Sequence, residues 1–215
     1  MSADGTVAMN GVYVYDAAFQ NMAATGSADA ARRIISLLQM IVPIRSVVDV
    51  GCARGTWLRE WRNQGATDIA GVDGDYVDRS KLEIDPARFV VHDLARRFNL
   101  NRQFDLAQSL EVAEHLPESR AASFVSDLVA HASIVLFSAA PPGQGGEHHL
   151  NEQPAQYWRA LFQSHDYAAI DCLRPRLANE PGIPHWYRYN IMLYVRRDQL
   201  ERIAPFARLF QLDDA

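Results

Sequence analysis

SVVDVGCARGTWLREWRNQ, residues 46–64, decides the fold. SVVDV (46–50) is β-branched and of strand length, and GCARG (51–55) is a turn of small residues. TWLREWRNQ (56–64) then reads as a helix stopped by Gly65. Upstream, Ile34, Ile35, Leu37, Leu38 and Ile41 recur at helical spacing between Ala28 and Val42, with Ser27 as cap and Pro43 as stop. Downstream, DIAGV (68–72), FVVHDL (89–94), FDLAQSL (104–110) and SIVLFSA (133–139) are strand candidates, and ESRAASFVSDLVAHA (118–132) is helix-like. Strand and helix alternate, which implies right-handed crossovers and a mostly parallel sheet covered on both faces. Ligands of such sheets bind beyond the carboxyl ends of the strands.

After Ala139 the chain turns to PPGQGGEHHLNEQP (141–154), a Gly- and Pro-rich stretch long enough to read as a lid. A helix, AQYWRALFQS (155–164), leads to YAAIDCL (167–173) and NIMLYV (190–195), read as a final antiparallel hairpin joined by a loop over 174–189. The expected fold is therefore a doubly wound α/β sheet of seven strands, mostly parallel with an antiparallel C-terminal hairpin. Residues 1–215 form one expected domain, with 1–43 as an N-terminal cap and helix and 141–189 as lid and acceptor-side insertions.

Composition agrees with a globular domain: of 215 residues, 48% are hydrophobic and 22% charged. The net charge is −5, and the basic residues are scattered arginines apart from Lys81, so no field awaits nucleic-acid phosphates. Cys52 and Cys172 make no disulfide framework and read as small core fillers in a reducing compartment. The first residues lack the basic start and apolar core of a signal peptide, and no apolar run reaches about 18 residues. The expected location is cytoplasmic, with no membrane partner.

The turn 51–55 lets a ligand lie against bare backbone before the free N–H groups of a helix. Asp73, about 20 residues past that turn, can accept from both hydroxyls of a ribose. Asp93, in His92-Asp93-Leu94, can accept from an adenine amino group. The turn matches neither G-x-G-x-x-G nor the phosphate loop G-x-x-x-x-G-K-[ST].

DVGCARG, GVDGD, HDL and the later FDLAQSLEVAEHLP resemble the class I S-adenosylmethionine-dependent methyltransferases over nearly the whole chain. That resemblance implies S-adenosyl-L-methionine as cofactor. Asp49, Gly51 and Gly55 fall at the methionine end, Asp73 on the ribose, and Asp93 with Leu94 on the adenine. The family's usual middle glycine is Ala53 here. Tyr13, Tyr15 and Phe19 are expected to fold over the cofactor mouth, as such preludes do in related methyltransferases.

Methyl transfer from a sulfonium asks the protein to position the acceptor, exclude water and remove a proton where the acceptor is a hydroxyl. Glu111, Glu114 and His115 stand at i, i+3 and i+4, so on a helix they would share one face. Such a face can hold a proton-transfer site or a divalent cation; the plainer alternative is a solvated helix start. EVAEH also resembles the metal-ligand segment of ubiquinone-pathway O-methyltransferases and of magnesium-using small-RNA 2′-O-methyltransferases. In those families a later histidine completes the site, which here falls to His149 or His148. The expected ligands are Glu111, Glu114, His115 and His149, for Mg²⁺ or another divalent ion, and the expected catalytic residues are Glu111, His115 and His149. Tyr157, Trp158, His185, Trp186, Tyr187 and Tyr189 are candidates for the acceptor wall, with core packing the better account of Tyr157 and Trp158.

The expected reaction is methyl transfer to a hydroxyl oxygen of a small molecule or glycan. The alternatives are a non-catalytic S-adenosylmethionine-binding subunit of a partner enzyme, and an RNA 2′-O-methyltransferase, which the acidic net charge disfavours.

Overall fold

A computed structural model describes residues 6–7, 13–14 and 17–215, with side chains from Ser27 onward. The reading of Tyr13, Tyr15 and Phe19 falls on side chains outside the described residues. The main sheet contains β1 (Ser46–Val50), β2 (Asp68–Asp73), β3 (Phe89–Val91), β4 (Leu106–Leu110), β5 (Ile134–Ser138), β6 (Tyr167–Ile170) and β7 (Met192–Arg196). Their order is β3-β2-β1-β4-β5-β7-β6, with β7 antiparallel to both β5 and β6. The order reverses between β1 and β4, which places a cleft at their carboxyl ends, where 51–55 and 111–115 emerge.

Alternate residues of the strands feed two cores. Val47, Leu106, Ile134 and Leu136 face α1 (Ala17–Ile41) and α2 (Thr56–Asn63), packing on Ile34, Leu38, Leu58 and Trp61. Val48, Ala107, Val135 and Phe137 face α3 (Ala121–Val129) and α4 (Ala155–Gln163), packing on Phe124, Leu128, Trp158 and Phe162. Burial on both faces is why these strands are continuous apolar runs rather than alternating ones. Among the described residues no helix is long and apolar enough to cross a membrane.

Three elements differ from the sequence reading. β3 ends at Val91 rather than Leu94 because it is the sheet edge, and Val90 and Val91 are exposed. The 174–189 loop contains two short helices, α5 (Arg174–Leu177) and α6 (His185–Asn190), each with a proline at its start. EVAEH is no regular helix: Glu111 has φ +55°, and only Ala113–His115 form a 3₁₀ turn.

Candidate active site

The cofactor end is built on the turn after β1. Gly51 (φ +86°) and Gly55 (φ +84°) take left-handed backbone that glycine adopts without strain. A Cβ on Gly51 would lie 2.3 Å from Val112 Cγ2, so the glycine also lets the segment after β4 pack directly on the turn. Ala53 takes φ +47° despite its methyl group. Its N–H donates to Asp73 Oδ2 at 2.7 Å, which ties the turn to the end of β2. The other Asp73 oxygen accepts from Gly74 N at 2.7 Å and from the Tyr76 hydroxyl. Burial pushes the Asp73 carboxyl up, against these three donors. Asp49, at the end of β1, is pushed up to about 7 by burial, with Gln108 opposing and the Asp73 charge adding to the rise. At the rim, Asp93 caps Ala95 N at 3.0 Å with a largely exposed side chain, and Leu94 is buried below it.

The acceptor end has a different economy of hydrogen bonds. Glu114 is fully buried, and among the described residues neither carboxylate oxygen has a partner of full hydrogen-bond geometry, although the Glu114 and Ala140 amides lie near enough to oppose the rise in its pKa. Burial, with the nearby Glu111 charge, holds its carboxyl well above the usual range. Ligand atoms of Glu114, His115 and His149 all lie within 4.8 Å of one another. The His115 and His149 rings meet edge to face at 4.9 Å. Burial, with His149 beside it, lowers His115 to about 4, so its imidazole is neutral at physiological pH.

The lid supplies His149 through its own backbone. Leu150 N and Asn151 N both donate to the Glu114 carbonyl, at 2.8 and 3.0 Å. His149 Nδ1 lies 2.8 Å from Glu152 Oε1, and Glu152 also accepts from Gly143 N at 2.7 Å and Gly145 N at 2.9 Å. A carboxylate only accepts, so His149 donates from Nδ1 and keeps its Nε2 lone pair free. A cation ligand or a general base needs that tautomer.

Glu111 does not join the trio, because the left-handed turn removes it from the helical face that its spacing implied. Its carboxylate accepts from Asn190 Nδ2 at 3.1 and 3.2 Å and from Gln144 Nε2 at 3.0 Å. Gln144 and Asn190 also line an open depression of about 340 Å³ with Pro141, Pro142, His185 and Tyr189.

A family model described as a methyltransferase domain matches residues 20–175. The chain belongs to the class I S-adenosylmethionine-dependent methyltransferases. No curated protein matches this methyltransferase significantly. Among solved structures, it is similar to a sugar N-methyltransferase from Streptoalloteichus, at 17% identity and TM-score 0.64, covering 92% of this chain and 99% of that one. It is similar to an O-methyltransferase family protein from Burkholderia thailandensis, at 11% identity and TM-score 0.61, covering 83% and 58%. It is also similar to magnesium protoporphyrin IX methyltransferase from Synechocystis, solved with bound S-adenosylhomocysteine, at 18% identity and TM-score 0.55, covering 90% of each chain. These likenesses reach the fold alone.

Within the methyltransferase, Asp49 lies near enough to Asp73 for their charges to interact, the 51–55 turn is tied to Asp73 through Ala53 N, and Asp93 and Leu94 follow the end of β3. Trp158 packs on Phe137 at 5.1 Å, in the core, and Tyr187 is buried edge-on against Trp57 at 5.3 Å. Tyr189 is 55% exposed beside the depression. Sequence reasoning missed Tyr76, Gln144, Glu152 and Asn190. Glu152, three residues after His149, was the one with a local signal.

Proposed function

We propose that this methyltransferase transfers a methyl group to a hydroxyl oxygen of a small-molecule or glycan acceptor, with Glu114, His115 and His149 holding a divalent cation beside the acceptor. The observation that carries this reading is the Glu114 carboxylate: fully buried, without a partner of full hydrogen-bond geometry on either oxygen among the described residues, and adjacent to two imidazoles. An unpartnered buried carboxyl costs stability, which a bound cation would recover. One carboxylate and two imidazoles fit Mg²⁺ less exclusively than an all-oxygen set, and also suit Mn²⁺, Co²⁺ or Zn²⁺.

S-adenosylmethionine, when bound, supplies a methyl group already activated on a sulfonium. Asp73 would take the ribose hydroxyls in place of the Tyr76 hydroxyl, Asp93 the adenine amino group, and the glycine turn the methionine end. A cation, when bound, would favour the ionised form of an acceptor hydroxyl. Glu152 holds the Nδ1 hydrogen of His149 and so leaves its other nitrogen for the cation, and the Leu150 and Asn151 amides fix this segment to the Glu114 carbonyl.

A second reading rests on the same pair of side chains. Without a cation, His149, oriented by Glu152 as a carboxylate orients a basic imidazole, removes the acceptor's proton at Nε2. Activity in excess chelator separates the two. The cation reading expects activity to vanish and return with added Mg²⁺ or Mn²⁺; full activity in chelator leaves the base reading.

A further inference from the structure

The depression beside Glu111 carries polar groups arranged in a fixed order. Glu111, as a carboxylate, only accepts, so the atoms that Asn190 and Gln144 turn toward it are their NH₂ groups. The Asn190 NH₂ also donates to Gln144 Oε1 at 2.8 Å, which uses that oxygen as well. Asn190 Oδ1 remains as an acceptor with no hydrogen-bond partner among the described residues, and Gln144 Nε2 keeps one hydrogen to donate. An acceptor and a donor side by side match adjacent hydroxyls, each of which both donates and accepts.

The rest of the lining narrows the ligand. Pro141, Pro142 and Tyr189 supply the apolar surface, and Tyr189 is more than half exposed. In so open a depression a wholly apolar ligand would keep much of its surface in water, whereas a hydroxylated ring sets one C–H face on a tyrosine and leaves its outer hydroxyls hydrated. The Glu111 charge behind the two amides opposes an anionic group entering there. We infer that this depression is an acceptor subsite for a neutral, hydroxyl-rich ring such as a hexopyranoside, with Asn190 and Gln144 reading neighbouring hydroxyls and Tyr189 stacking on the ring. The inference rests on the methyl-transfer reading and adds the class of acceptor. Glu111 is then a positioning residue that orients both amides.

Saturation-transfer NMR on the full chain loaded with S-adenosylhomocysteine tests it, with methyl β-D-glucopyranoside, methyl β-D-galactopyranoside and catechol as probes. At least one glycoside should receive saturation on its ring C–H protons. Asn190→Leu and the surface change Tyr189→Ala should each weaken that glycoside by about three- to tenfold, the loss of one hydrogen-bonded or stacked contact. S-adenosylhomocysteine affinity, measured by calorimetry on the same preparations, should stay within twofold. Saturation of catechol alone, of no probe, or of a glycoside indifferent to both variants overturns the subsite and leaves the methyl-transfer reading standing. Failure of the unaltered protein to bind S-adenosylhomocysteine overturns both.

Discussion

Two buried carboxylates of this methyltransferase, Asp73 and Glu114, sit in opposite surroundings. Asp73, at the end of β2, accepts from Ala53 N, Gly74 N and the Tyr76 hydroxyl; Glu114, after β4, has no partner of full hydrogen-bond geometry among the described residues. Both are raised by burial; Asp73 is drawn back by a hydroxyl and two backbone amides, Glu114 by the Glu114 and Ala140 amides only and with the Glu111 charge adding to the rise. The Asp73 end is therefore already organised by the protein's own donors, and one of them, Ala53 N, also fixes the glycine turn. At the other end two imidazoles stand beside a buried carboxyl group whose proton affinity burial raises, the arrangement for which a cation is proposed. The two regions meet where Val112 packs on Gly51, so the glycine turn also sets the position of the segment carrying Glu114.

Removing each carboxylate should therefore have separable consequences. Glu114→Ala should lower methyl transfer by about a thousandfold, the several kcal/mol expected for loss of a cation-held transition state. S-adenosylhomocysteine affinity should stay within twofold in calorimetry. Equal losses in both assays would mean that the two ends are one unit.

The pH dependence of stability sharpens the contrast from the cofactor side. Asp49 holds its proton up to about 7 in the folded protein, whereas an unfolded aspartate releases it near 3.8. Between those values the folded state binds more protons, so stability should fall as pH rises, by at most about 4 kcal/mol. Asp49→Asn should flatten the slope of denaturant midpoints between pH 4 and 7; a slope as steep as in the unaltered protein would place its cause elsewhere.

Asp73→Ala should weaken S-adenosylmethionine by about ten- to a hundredfold, the 1.5–3 kcal/mol of charge-assisted hydrogen bonds to the ribose. Calorimetry reads it directly, and unchanged affinity would remove Asp73 from the ribose. At the other end, Glu152→Gln should weaken Mn²⁺ about tenfold, the low end for a group that orients a ligating imidazole. Its signature is the ¹⁵N spectrum of His149, which should lose its single Nδ1–H tautomer. A spectrum unchanged by the substitution would leave Glu152 as a loop brace only.

Much of the fold was legible because its signals are local. SVVDV, DIAGV and SIVLFS are buried on both faces and could be little but central strands, and the order of Gly51, Asp73 and Asp93 follows from successive strand ends. The spacing of Glu111, Glu114 and His115 misled because it presumes helical backbone, whereas Glu111 has φ +55°. Its amide is bound to the end of β5 through Ser138 O at 3.0 Å and Ser138 Oγ at 3.1 Å, a tertiary contact that overrides the local pattern. Asn190 and Gln144 were invisible for a related reason. They meet Glu111 across 79 and 33 residues of chain, and no local pattern marks such a meeting.

The central claim is that Glu114, His115 and His149 enclose a divalent cation. Anomalous diffraction from a crystal soaked in Mn²⁺ with S-adenosylhomocysteine tests it most directly. The account predicts one peak at ligand distance from a Glu114 oxygen and from a ring nitrogen of each histidine, missing in the Glu114→Ala variant. An empty position among the three side chains at saturating Mn²⁺, with full methyl transfer in excess chelator, would contradict it.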